Sequence, residues 1–348
     1  SLLAVIRGCT GECNLARIPF RLLYTPVHKD LCSIYACFNL LLTQIFRTMP
    51  YDFSLSSGVL ANGRTVHYAM LNGASQPKFV IGYRTMYDGN IGLYNTQVSP
   101  GLVYDPVQYV NDFGFWAYFI HPTAQAESKG SYLCLNTYDR AKFTFSFMQY
   151  AAHVPNGDFV KFFRKLLTLP NALDYFPKLI LKDSHIFYSN ANGTLSQLES
   201  DASTQALMDY LNPTLKEVEN QELICSARMI HWASNDAAHR KTQVELAIQH
   251  FKNNMVEYNK RFNLHGVPAK VCQVICDIRH QGRATNDRIA NALNTGGNYN
   301  LAFTNLCSIG AANYSQRITT VRNTINGLIA SGIFNKKYDS GTNSFIDM

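Results

Sequence analysis

At Asp105-Pro106 the chain changes its hydrophobic period, and that change limits most of what it can fold into. Upstream, segments such as TVHYAML and KFVIGYRTMY alternate between Asn-Gly, Asp-Gly-Asn and Ser-Pro-Gly breaks, the pattern of short strands joined by turns. Downstream, apolar residues recur at intervals of three and four over Phe159 to Leu169, Asp201 to Leu211, Ala233 to Arg261, Ala269 to Arg279, Thr285 to Leu293 and Arg317 to Ser331. That spacing predicts amphipathic helices. Asp105 supplies a capping side chain, and Pro106 fits a first helical turn that needs no N–H from it. Gly332 stops the last helix, and an Asp-Ser-Gly turn within Ile333 to Ile346 predicts a terminal hairpin. The expected fold is α+β and mainly helical. Residues 1–48 form an N-terminal segment of a different character, 49–104 a small β-rich module, and 105–348 the helical domain.

Two carboxylates, Glu127 and Asp139, stand twelve residues apart across a polar turn that contains Gly and Asn. Glu127 follows the apolar run GFWAYFI and the Thr-Ala-Gln-Ala segment after Pro122, which predicts a helix end lined by aromatics, where low polarity keeps a carboxyl protonated. Asp139 lies between Tyr138 and Arg140, ahead of the alternating KFTFSF, where polar neighbours and a cation keep it ionised. One acid and one carboxylate are what hydrolysis of a glycosidic bond requires. The same spacing also fits a plain helix-end Glu127 and a turn Asp139 paired with Arg140.

The stretch ESKGSYLCLNTYDRAKFTFSFMQ, with Glu127, Asp139 and Thr144 five residues after the Asp, resembles the catalytic segment of the chitosanases of glycoside hydrolase family 46, in the lysozyme-like superfamily. The likeness continues through HVPNGDFVKFFRKLLTLPNALDYFPKL, through CDIRHQGRA with Asp277, His280 and Gly282, and through Tyr314 followed eight residues later by Arg322. The Glu-to-Asp and Asp-to-His intervals are shorter than in those chitosanases, and Lys142-Phe143 replaces a more Gly-rich turn. The resemblance implies a two-lobed fold with a cleft between the lobes. It implies Glu127 as general acid, Asp139 as the residue that orients or deprotonates water, and Thr144 as a holder of that water. It also implies Asp277, His280 and Arg322 as supports, Arg322 through a salt-bridge network, with Tyr138 and Arg140 flanking the base. Inversion at the anomeric carbon would follow, with no metal and no organic cofactor.

The net charge of +7 and pI near 8.8 bear on the polymer. A polycation such as chitosan is drawn to a negative cleft, whereas peptidoglycan carries peptide carboxylates, so the charge favours peptidoglycan. No Lys/Arg run marks a nucleic-acid surface. One rival from another class exists: residues 285–346 read as a winged helix, with Arg317 and Arg322 on a recognition helix and a wing at Lys336 to Ser344. An inert lysozyme-like binding or structural protein is the other. Aromatic residues make up 12% of the chain; Trp116 and Trp232 are candidates for stacking on sugar rings, although core is the commoner fate of such residues.

The nine cysteines follow no disulfide framework. Cys272 and Cys276, one turn apart on a predicted helix, read as core thiols. The set Cys9, Cys13, His28 and Cys32 matches no compact zinc spacing. The run Leu31 to Phe46 is short for a membrane span and has no cleavage pattern after it. It fits an internal helix, a degenerate export segment, or a stretch preceding a start at Met49. Action outside the cell or at its envelope is expected only through the substrate.

Overall fold

A computed structural model describes residues 50–348; the segment before them, with Cys9, Cys13, His28, Cys32 and the Leu31 to Phe46 run, lies outside the described residues. The fold is mixed, with helix predominating over strand. The predicted strands form a meander of β1 (Phe53–Val59), β2 (Thr65–Leu71), β3 (Phe79–Tyr87) and β4 (Asn90–Asn95). Asp105 caps a 3-10 turn (Pro106–Gln108) by accepting from the Val107 N–H at 3.0 Å. Then come α1 (Val110–Phe113) and α2 (Phe115–Ser128), and the chain re-enters the sheet as β5 (Leu135–Asn136), β6 (Thr144–Phe145) and β7 (Tyr150–Ala151). All seven strands form one antiparallel sheet in sequence order.

The expected boundary near residue 104 is therefore no boundary in the fold. Phe53, Ala69, Ile81 and Leu93 of the first four strands belong to the same core as Phe119, Phe163 and Trp232, and residues 50–348 make one compact unit. Local alternation identified the strands. It carried no information about β5 to β7, which are two residues each and too short to show a period.

After the sheet come α3 (Asp158–Leu166), α4 (Ala172–Tyr175), a second small sheet of β8 (Leu179–Lys182), β9 (His185–Ser189) and β10 (Leu195–Gln197), and α5 (Gln205–Leu211). Two long helices follow, α6 (Asn220–Asn235) and α7 (Ala237–Phe262). The helix predicted across Ala233 to Arg261 is broken at Asp236, whose extended backbone ends α6 and whose carboxylate accepts from the Ala238 N–H at 2.8 Å to start α7. The remainder is α8 (Ala269–Gln281), α9 (Asn286–Leu293), α10 (Tyr299–Ser308), α11 (Ala311–Ala330) and a hairpin of β11 (Lys336–Asp339) and β12 (Ser344–Asp347).

Helix α2 is central. Its aromatic face holds the hairpin, with the Phe345 ring 4.6 Å from Phe119, 4.9 Å from Phe115 and 5.2 Å from Trp116. Trp116 is therefore core. So is Trp232, fully buried and stacked on Tyr175 at 4.8 Å with its indole N–H on Asp236. Cys272 and Cys276 are buried free thiols, as the helical spacing predicted.

The join between the meander and β5 depends on close approach. The Leu93 N–H donates to Thr137 Oγ1 at 2.6 Å, and a Cβ added at Gly92 would lie 2.7 Å from the same hydroxyl. Gly92→Ala is expected to lower unfolding free energy by about 1–3 kcal/mol through overpacking, read as a shift in urea midpoint; an unchanged midpoint would show that Thr137 yields freely.

Candidate functional site

Helix α2 ends abruptly because Lys129 and Gly130 both adopt left-handed conformations, at φ 56° and 77°, and the Gly130 N–H turns back to the Ala124 carbonyl at 3.0 Å. Glu127 thus falls in the last turn, where the helix dipole disfavours a negative charge. Two cations offset this. Arg317 Nη1 on α11 lies 2.6 Å from Glu127 Oε1, and His280 Nε2 on α8 lies 3.3 Å from the same oxygen. Burial pushes the Glu127 carboxyl up, but the hydrogen bond and charge of His280, with those of Arg317, outweigh it and hold the group at about 2. In the free protein Glu127 is a carboxylate, which corrects the expectation of a protonated acid. The aromatics expected to keep it neutral face the hairpin instead. His280 shows the reciprocal effect: burial lowers its pKa, the Glu127 bond and charge raise it, and the net shift is upward.

Arg317 extends the site inward. Its Nη2 donates to Asp277 Oδ1 at 2.7 Å, and Arg283 Nη1 donates to Asp277 Oδ2 at 2.6 Å. Asp277 is fully buried and also accepts from Thr123 Oγ1 at 3.1 Å, which in turn accepts from Gln273 Nε2 at 2.8 Å. The helical repeat explains the convergence: Gln273, Asp277 and His280 share one face of α8, and Thr123 and Glu127 share one face of α2.

Of the residues singled out from the sequence, Glu127, Asp277 and His280 come together. Arg322 does not; it is exposed on α11, and Arg317 takes the salt-bridging place expected of it. Five residues along a helix turn the side chain by about 140°, so only one of the two can face α2. Arg317 heads the stripe Arg317, Val321, Ile325, Leu328, and a cation in line with buried apolar residues was the available signal. Its engagement with two carboxylates also removes it from the role a DNA-reading helix would give it, and the wing of that reading is the hairpin packed on α2.

Asp139 occupies a different part of the surface. Its carboxylate accepts from Asn136 Nδ2 at 3.0 Å and from the Ala141 N–H at 2.9 Å, which shapes the turn between β5 and β6. No ion pair joins it to Arg140, which is exposed. Asp139 and Arg140 line a concavity of about 460 Å³ with Tyr87, Asn90, Ala151 and His153, and Tyr138 rests against Tyr87 at 6.0 Å. Thr144 is buried in β6, paired with Asn136 and Ala151. Glu127 opens instead on a cavity of about 570 Å³ lined by Thr96, Gln125, Lys129, Gln316, Arg317 and Thr320. A third cavity, of about 460 Å³, shares Ala151 with the one at Asp139 and takes His280 as one wall. Gln149, on its rim, donates to the Glu127 carbonyl at 2.6 Å.

Among the described residues no group of three or more His, Cys, Asp or Glu side chains converges as a metal would require, and no helix is long and apolar enough to cross a membrane. Comparison with protein-family models, curated proteins and solved structures finds no match.

Two outcomes follow from this geometry. Arg317→Met should cost about 3–5 kcal/mol, because it removes one of Glu127's two cations and one of Asp277's two guanidinium partners, whereas Arg322→Met should stay within about 0.5 kcal/mol; equal effects in urea titrations would refute the assignment. The Glu127 carboxyl lies below its ordinary 4.5, so its stabilisation is present above that value and lost as pH falls towards about 2. His280 lies above its ordinary 6.5, so its contribution is present below 6.5 and lost as pH rises through the raised value. The pair should contribute most between pH 4.5 and 6.5, and Glu127→Gln should remove that maximum from a plot of stability against pH.

Proposed function

We propose that this protein is an endo-acting glycoside hydrolase that cleaves β-1,4 bonds of an aminosugar polymer, with peptidoglycan favoured over chitosan, on a two-lobed lysozyme-like domain. The observation that carries the reading is Glu127. It is a helix-end carboxylate oriented by a buried Asp277–Arg317 pair, backed by His280, whose pKa it raises, and open to a cavity lined also by the amides and hydroxyls of Thr96, Gln125, Gln316 and Thr320. Amides and hydroxyls are the partners that sugar hydroxyls require.

The ionised state of Glu127 gives the mechanism one more step than the sequence suggested. The pair holds one proton, on His280 Nε2. A polymer lying over the pair excludes water, and in a drier site an ion pair loses ground to its neutral form. The proton then passes from His280 Nε2 to Glu127 Oε1, with Arg317 retained by Asp277. Glu127 delivers it to the leaving glycosidic oxygen as the C–O bond breaks. A water attacks the anomeric carbon and gives its proton to bulk solvent, because Asp139, held by Asn136 and the Ala141 N–H, lines a separate cavity and is not the base expected of it. His280 is recharged from solvent. Asp277, Arg283 and Thr123 act by positioning Arg317.

Glu127→Gln keeps the shape of the side chain and removes the transferable proton. Turnover should fall by about 10²–10⁴ while affinity and folding persist. The pH–rate profile should lose activity as pH rises through the elevated His280 pKa, because above it the pair has no proton to deliver. Both are checked by digesting purified peptidoglycan and chitosan and identifying products by mass. Near-native rates for Glu127→Gln, or glucosamine oligomers released faster than muropeptides, would overturn the catalytic or the substrate assignment respectively.

A further inference from the structure

The cavity on the far side of His280 has a composition that the hydrolytic step does not use. Its walls come from the turn before β7, the start of α3, the middle of α7 and the end of α8. Five charged or titratable groups other than tyrosine face it: Asp158, Lys161, His250, Arg279 and His280. His250 Nδ1 lies 2.9 Å from Asp158 Oδ2, and the charge of Lys161 also acts on that carboxylate. His280 is matched by Glu127. What remains is Lys161 and Arg279, and neither pairs with a carboxylate within 4.0 Å among the described residues.

Arg279 adds a second, independent sign. Its Nη1 donates to the Ala284 carbonyl at 3.1 Å and the guanidinium also meets the Tyr258 hydroxyl, but its Nε is buried with no hydrogen-bond partner. Buried guanidinium donors without acceptors are rare in folded proteins. A planar carboxylate is the ligand whose two oxygens match the guanidinium fork. The start of α3 adds to the same field, because its N-cap, Gly157, brings no side-chain acceptor to the exposed N–H groups.

We infer that this cavity is a subsite for a carboxylate carried as a substituent on the sugar polymer, namely that of the lactyl-peptide arm of peptidoglycan. Rings placed against Glu127 would put a side arm past His280, and Lys161 and Arg279 would hold its carboxylate. An unsubstituted glucosamine polymer has no group to offer there, and its ammonium groups are repelled. The inference rests on the glycosidase reading and supplies its selectivity.

The test has a binding arm and a catalytic arm. Titration of the protein with N-acetylmuramyl dipeptide, followed by NMR or calorimetry, should give saturable binding that Lys161→Gln/Arg279→Gln weakens about 10- to 100-fold, the range for loss of charge-assisted hydrogen bonds. Lys161 is exposed on α3, so Lys161→Glu alone keeps the test alive if the Arg279 change impairs folding. It should weaken binding at least about tenfold. In the catalytic arm, kcat/KM on peptidoglycan freed of wall phosphate polymers should fall with the double variant, while kcat/KM on an uncharged N-acetylglucosamine hexamer should change less than about threefold. No dipeptide binding by the unaltered protein, or equal binding by the folded variants, overturns the subsite. Inorganic phosphate displacing the dipeptide at equal concentration would reassign it to phosphate and also overturns it. Dipeptide binding without cleavage of any polymer would leave the subsite standing and sink the hydrolase reading.

Discussion

Everything around the candidate site depends on one fully buried carboxylate. Asp277 cannot be ionised in the protein interior without compensation, since an isolated buried charge costs far more than any single contact returns. Two guanidinium groups and a hydroxyl supply that compensation. The arrangement ties three helices at one point: α8 provides Asp277, α2 provides Thr123, and α11 provides Arg317. Because Arg317 has donors on more than one edge, fixing it to Asp277 also aims it at Glu127. The ionisation of Glu127 is thus a consequence of a buried aspartate on a different helix.

The same network orders the electrostatics of the surface. Glu127 is held as a carboxylate against both its burial and the dipole of its own helix, and the same contact raises the pKa of His280 alongside. His280 is then the partition between two cavities. On one side a carboxylate and a guanidinium face amides and hydroxyls; on the other, Lys161 and Arg279 share a cavity with the His250–Asp158 pair. A second buried carboxyl, Glu222, behaves in the opposite way. Burial pushes it up to about 8, against hydrogen bonds from Thr137 Oγ1 at 2.5 Å and from the backbone at Glu219 and Leu93, so at neutral pH it mostly keeps its proton. Glu127 and Glu222 are alike in the sequence and differ in charge because one has cations within reach and the other does not.

Local periodicity determined a good deal of this molecule. Alternation located β2 and β3 closely, three- and four-residue spacing located α3, α8 and α9, and the Asp-Ser-Gly turn located the terminal hairpin. Helix α10 follows a polar Thr-Gly-Gly-Asn approach that gives its start no apolar period. Asp236, which splits one predicted helix into two, is visible as a capping residue only once the fold bends the chain there. Of the residues singled out near the helix end, Glu127 meets His280 directly and Asp277 only through Arg317.

The sequence by itself determined the periods, the caps and the residue types at the helix end, because these depend on neighbours within a turn or a strand. Only the tertiary structure decided which arginine of α11 meets Glu127, that the tryptophans are core, that the β-rich segment shares a sheet with residues 135–151, and that Asp139 faces a cavity of its own. Each of those depends on groups far apart along the chain. Charge state is the clearest case: Glu127 is set by residues more than 150 positions away, and no local pattern encodes the distance between them.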